Sequence, residues 1–179
     1  MNLVRRQLVL ACWLWWLCSA SALALDPTKA ITQYVQDVWT TNNGLPQNTI
    51  QCVAQTSDGY LWFSTVGGLV RFDGLRFTIF NSANTDAFVN DNIFALFTDR
   101  EGTLWIGPER GGVVRYRNGE FKRYAAQDGF ALEAIRAIRQ DRAGNIWIGG
   151  WGGIYRFREG KFTHWGVKDG VSHDWSFQF

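Results

Sequence analysis

A chain of 179 residues with 46% hydrophobic and 19% charged side chains can bury one ordinary core and excludes a disordered tail. Ten Trp, thirteen Phe and nineteen Gly against three Pro exclude helix-rich classes and suit short strands joined by tight glycine turns. The formal charge of +2 owes everything to Arg5 and Arg6; from Asp26 onward 16 basic and 16 acidic side chains cancel, which excludes a basic footprint for nucleic acid or an anionic membrane.

Residues 1–24 come first and read as an export signal. A basic start (Arg5, Arg6) precedes an apolar run from Leu8 to Leu17, and small residues end at Ala22-Leu23-Ala24. Cleavage after Ala24 is expected, with a periplasmic or otherwise extracytoplasmic mature chain. An uncleaved anchor is the alternative, since Leu8 to Leu25 is 18 uncharged residues; the Ser and Ala at its end favour cleavage. Lipid attachment at Cys12 or Cys18 is disfavoured by the short run before the first and the bulky Leu17 before the second. The mature chain then keeps only Cys52, and packing alone must hold the fold.

A repeat of about 42 residues follows. Ser57-Asp58-Gly59-Tyr60-Leu61-Trp62-Phe63 recurs as Arg100-Glu101-Gly102-Thr103-Leu104-Trp105-Ile106 and as Arg142-Ala143-Gly144-Asn145-Ile146-Trp147-Ile148, with Trp spacings of 43 and 42. Gly67-Gly68-Leu69-Val70-Arg71-Phe72 recurs as Gly111-Gly112-Val113-Val114-Arg115-Tyr116 and as Gly152-Gly153-Ile154-Tyr155-Arg156-Phe157. Each copy turns through Asp73-Gly74, Asn118-Gly119 or Glu159-Gly160 into a strand with Phe77, Phe121 or Phe162. In the first copy the strands are expected at 48–55, 60–65, 68–73 and 76–80, separated by glycine turns that need positive φ.

Four antiparallel strands in about 42 residues predict an all-β fold of β-propeller blades. Blade 1 is placed at 43–80, blade 2 at 86–124, blade 3 at 128–165, and the start of a fourth at 169–179, where Asp169-Gly170-Val171 resembles Asn43-Gly44-Leu45 and Asp128-Gly129-Phe130. A blade cannot cover both its faces, so Trp62, Trp105 and Trp147 are expected to fill the wedges between blades. Gly68, Gly112 and Gly153 recur at the third-strand turn, and Arg71, Arg115 and Arg156 point to a shared packing or hydrogen-bonding role. In the N-terminal segment 25–42, Val35, Val38 and Trp39 suit a lone strand over 34–40 able to complete a last blade. Three blades with two open faces make an incomplete toroid, so a fragment or truncated product is expected.

At Val38-Trp39-Thr40-Thr41 with Gly44-Leu45-Pro46-Gln47-Asn48, at Asp58-Gly59-Tyr60-Leu61-Trp62 and at Gly68-Leu69-Val70-Arg71-Phe72-Asp73-Gly74, the sequence resembles the two-component regulator propeller family. That family forms the periplasmic sensor part of hybrid histidine kinases and diguanylate cyclases. Its Trp-hydrophobic-Gly-Thr ending reads Trp62-Phe63-Ser64-Thr65, Trp105-Ile106-Gly107-Pro108 and Trp147-Ile148-Gly149-Gly150 here, so one Thr remains. The resemblance implies a parent with further blades and downstream signalling domains, anchored in the inner membrane and able to dimerise. It also implies an extracellular cue, a small molecule or glycan. It implies no cofactor and no catalysis in this chain.

The long connections, 81–90, 125–133, 108–111 and 150–152, fall on one face and the short glycine turns on the other. Long loops on a rigid scaffold present binding groups, and Glu109, Arg110 and Trp151 are the candidates for a sugar or acidic ligand. A propeller enzyme of the streptogramin-lyase type would need His and Glu at the central mouth, and only His164 and His173 are available. A lectin-like scaffold is the third reading. No metal-spaced His and Cys cluster, serine elbow or phosphate loop is present in the sequence.

Overall fold

A computed structural model describes residues 30, 32 and 36–172. The chain divides into two compact units, Met1–Val38 and Trp39–Phe179. Of the first, residues 30, 32 and 36–38 are described, and none lies in a strand. The export signal falls outside the described residues.

The second unit contains three four-stranded antiparallel sheets in meander order. Sheet one is β1 (Cys52–Gln55), β2 (Leu61–Thr65), β3 (Gly68–Phe72) and β4 (Phe77–Phe80). Sheet two is β5 (Ile93–Thr98), β6 (Leu104–Pro108), β7 (Val113–Arg117) and β8 (Glu120–Tyr124). Sheet three is β9 (Glu133–Gln140), β10 (Ile146–Trp151), β11 (Gly153–Arg158) and β12 (Lys161–Trp165). The first strand starts later than the expected 48–55, because Pro46 and the polar Gln47-Asn48-Thr49 lead in from a turn, and the Gln51 amide donating to Ser64 O at 2.9 Å opens the ladder. Contacts between sheets run through the first strands: β1 meets β5, and β5 meets β9. Those three strands are the inner ones, and the blades fan outward from them.

The repeated side chains explain why the sheets stack. Trp62 (0% exposed) and Trp105 (2%) are buried between sheets: Trp62 lies 4.8 Å from Tyr116, and Trp105 lies 5.1 Å from Phe157. The outer strands repeat the contact, with Phe80 5.0 Å from Phe121 and Tyr124 5.4 Å from Phe162. Each such indole takes roughly 200 Å² out of water, on the order of 5 kcal/mol before conformational entropy is subtracted. Trp147 and Trp165 stack at 5.6 Å and stay half-buried, with no following sheet among the described residues.

An acceptor at the end of each inner strand fixes the indole. Trp62 Nε1 donates to Thr56 Oγ1 at 2.9 Å, Trp105 Nε1 to Asp99 Oδ2 at 2.8 Å, and Trp147 Nε1 to Asp141 Oδ2 at 2.8 Å. Asn145 Nδ2 and the Trp147 N–H both stabilise the ionised Asp141 carboxylate and hold it at about 2.

The expected strand over 34–40 is not seen in its described part: residues 36–40 join no sheet. Trp39 nevertheless packs 4.9 Å from Phe72 and 6.1 Å from Phe77, the contacts Tyr124 of blade 2 makes with Phe157 and Phe162 of blade 3. The indole thus occupies the place of an outer-strand aromatic from a preceding blade. A 3₁₀ turn, Thr41–Asn43, follows it, and the same turn recurs at Ala126–Asp128 and Val167–Asp169. In each, an Asn or Asp oxygen accepts the amide three residues back, at Thr40, Ala125 or Gly166.

Candidate functional site

Because adjacent strands are antiparallel, the starts of β1, β5 and β9 share one face with the turns after β2, β6 and β10. Polar groups from all three blades meet there. Gln51 Nε2 donates to Asn92 Oδ1 at 3.0 Å, and Asn92 Nδ2 donates to Glu109 Oε2 at 3.4 Å. The Glu109 amide donates to Asn92 O at 2.8 Å, and Glu109 O accepts the Ala134 amide at 2.7 Å. Glu109 is therefore held by its backbone between blades 2 and 3, while among the described residues its carboxylate accepts one long hydrogen bond, from Asn92.

From β9, the Arg136 guanidinium lies over the Phe94 ring of β5, 3.5 Å from the centroid. Arg136 is exposed and, among the described residues, forms no ion pair. A cation laid on an aromatic face is fixed in direction and still offers its donor edge to solvent. The mouth thus presents a directed cation, a half-buried carboxylate and an amide pair, a set able to bind hydroxyl groups and an oxyanion together.

Of the three candidates, Glu109 lies in this cluster. Trp151 stands opposite Glu133 in the β10–β9 ladder, one residue before Ala134, whose amide donates to Glu109 O. It is the last residue of β10, not part of a loop, and is 50% exposed. Likewise the expected 108–111 loop is shorter, because Pro108 closes β6 and is buried. Arg110 is exposed, and its side chain bonds to no other described residue. The loss of the Thr at blade 3 also has a cause: a Cβ at Gly150 would sit 2.6 Å from Ala134 O, where the β9–β10 register shifts and Ala134 takes φ +46°.

Sequence reasoning missed Gln51, Asn92, Phe94 and Arg136. The missed signal is positional: Gln51, just before β1, Phe94 in β5 and Arg136 in β9 hold equivalent repeat positions, five before the acceptors Thr56, Asp99 and Asp141. They share neither charge nor shape, whereas the acceptors all bind an indole. A repeat position that varies at a fixed place beside the axis is a candidate for ligand contact.

His164 lies on the outer strand β12, stacked 4.5 Å from Tyr155, with Nε2 2.7 Å from Gly152 O. His173 lies outside the described residues. Among the described residues no group of three or more His, Cys, Asp or Glu side chains could hold a metal. Cys52 is half-buried, and its Sγ–H donates to Phe94 O at 3.1 Å.

Meander sheets fanned from adjacent inner strands and wedged by indoles define blades of a β-propeller. The model of the two-component regulator propeller family matches three stretches of the chain, residues 44–67, 87–110 and 129–152. Among solved structures, the chain is similar to the extracellular domain assigned to the hybrid two component system BT3049 of B. thetaiotaomicron, with a TM-score of 0.68 at 24% identity over 76% of this chain and 19% of that one. It is also similar to the extracellular domain assigned to the one component system BT4673 of the same organism, with a TM-score of 0.57 at 20% identity over 73% of this chain and 20% of that one. Virginiamycin B lyase of Staphylococcus aureus matches with a TM-score of 0.52 at 17% identity, over 68% of this chain and 42% of the lyase. The chain spans about one fifth of the two extracellular domains. At these identities the likeness shows the fold alone. No curated protein matches the chain.

Proposed function

We propose that the chain is the ligand-sensing propeller segment of an exported two-component-type sensor, and that it recognises an extracellular small molecule or glycan at the mouth where the three inner strands begin. The observation that carries this is a chain of side chains from neighbouring blades: Arg136 laid on Phe94, and a Glu109 carboxylate that accepts from Asn92, which in turn accepts from Gln51. Three blades contribute to one polar cluster, so a ligand seated there would bridge them and favour one stacking geometry over others. The repeats support the sensor reading, because the family whose model they match is named for two-component regulators. The chain itself contributes recognition rather than catalysis, and the output domain belongs to a longer parent.

The test is a titration of the full chain with a panel of neutral and acidic oligosaccharides by isothermal titration calorimetry. Binding that is lost in both Arg136→Ala and Glu109→Gln supports the mouth as the site. Binding unchanged by both variants refutes it.

A further inference from the structure

The opposite face, where the glycine turns lie, holds a cleft of about 360 Å³ between blades 2 and 3. The equivalent cleft between blades 1 and 2 is about 200 Å³. The repeat makes each a control for the other. In blade 1 the Arg71 guanidinium stacks on Tyr60, 4.5 Å from the ring centroid, and its Nη1 donates to the Tyr116 hydroxyl of blade 2 at 3.4 Å. Arg115 is the equivalent cation one blade on. The residue in the place of Tyr60 is Thr103, and the residue in the place of Tyr116 is Phe157.

Two replacements therefore remove both the ring and the hydroxyl that occupy Arg71, and the larger cleft opens where they are missing. The carboxylates lining that cleft are already engaged: Asp99 by Trp105 Nε1, Glu101 by Gln140 Nε2 at 2.8 Å, and Glu159 by Arg158 at 3.3 Å. The guanidiniums of Arg115 and Arg117, which also line it, donate no hydrogen bond and form no ion pair among the described residues. Arg115 retains only a ring contact, with Tyr124 at 5.6 Å.

We propose that this cleft is a binding site for a small polyol bearing an oxyanion, carboxylate or phosphate, taken by Arg115 and Arg117. Guanidinium groups present paired donors that match such oxyanions. The volume accommodates about one sugar residue, near the lower end of small-molecule sites. Recognition comes from unengaged donors rather than from net field, because the lining charges balance. The site lies on the face opposite the mouth and does not depend on the function proposed for that mouth.

The test uses the full chain with glucuronate, glucose 6-phosphate and glucose, following the Trp105 indole resonance by NMR and the affinity by calorimetry. At least one of the two anions is expected to saturate a single site and shift the Trp105 resonance, while glucose does not. Phe157→Tyr returns a hydroxyl to Arg115 without enlarging the side chain elsewhere, and Arg117→Ala removes an exposed donor; each is expected to weaken the anion about tenfold, the loss of one charge-assisted hydrogen bond. Lys168→Ala, an exposed cation that lines neither cleft, is expected to leave it unchanged. The proposal is overturned if neither anion saturates, if glucose binds equally, if Phe157→Tyr keeps the wild-type affinity, or if Lys168→Ala abolishes the binding.

Discussion

Trp105 donates its indole N–H to the Asp99 carboxylate at 2.8 Å, across the hairpin that joins the inner strand of blade 2 to the next. The same oxygen set also takes the Thr103 amide at 2.7 Å and the Glu101 amide at 3.1 Å, so one side chain closes the turn and orients the wedge between blades. In blade 1 a neutral hydroxyl, Thr56 Oγ1, does the second task, and Asp58 supplies the carboxylate beside it.

This difference predicts unequal penalties for the same substitution. Trp105→Phe leaves a buried carboxylate short of a donor and is expected to cost about 1 kcal/mol more than Trp62→Phe, since hydrogen bonds to charged groups contribute about 1.5–3 kcal/mol and neutral ones about 0.5–1.5. Urea midpoints at unchanged m-value measure the difference. Equal penalties would mean that the carboxylate adds nothing beyond the hydroxyl.

Acid sensitivity follows from Asp141. Asn145 first and Trp147 second hold its pKa at about 2, against 3.8 for the free side chain. A depressed folded-state pKa gives a contribution that is complete above 3.8 and disappears as the pH falls through about 2. The Trp147 indole resonance is therefore expected to move with a midpoint near 2, and stability is expected to decline over the same interval. Asp141→Asn should flatten that part of the stability profile. An indole resonance that titrates near 3.8 would contradict the assignment.

Two glycines with similar backbone angles separate strain from collision. Gly119 has φ +87° with nothing within 4 Å of an added Cβ, so Gly119→Ala is expected to cost about 1 kcal/mol of left-handed strain. Gly112 has φ +96°, and its Cβ would fall 2.0 Å from Tyr124 O, so Gly112→Ala must also push β7 from β8. That cost is expected to be at least twice as large by thermal unfolding. Gly68 and Gly153 face Phe80 O and Trp165 O in the same way, which is why glycine recurs there.

Trp39, 42% exposed, covers Phe72 and Phe77 in place of a preceding blade. Trp39→Ala is expected to destabilise blade 1 by about 1–2 kcal/mol, the contribution of a partly buried aromatic cluster. Exchange of β3 and β4 amides should quicken while β11 and β12 keep their protection.

The fold was legible because the repeat expresses it three times. Three indoles at spacings of 43 and 42, each followed by a Gly-Gly turn and a Gly hairpin, leave little but stacked four-stranded sheets. The binding groups were less legible for the opposite reason. Arg136, Phe94 and Gln51 do not repeat, and their equivalent positions emerge only once the three copies are superposed. Glu109 was visible as a loop charge, but its anchoring through Asn92 and Ala134 depends on pairings between residues far apart in sequence. Pro108 and Trp151 were read as loop residues because proline and glycine neighbours suggest turns, whereas the ladders run through both.

Each blade is held by the blades on either side of it. Hydrogen exchange of the full chain tests this at one equivalent strand in each blade: β2, β6 and β10. Slowest exchange in β6, whose sheet is covered on both faces, is the predicted result. Identical protection in all three strands, or β6 exchanging first, would show that the sheets are stable without their neighbours.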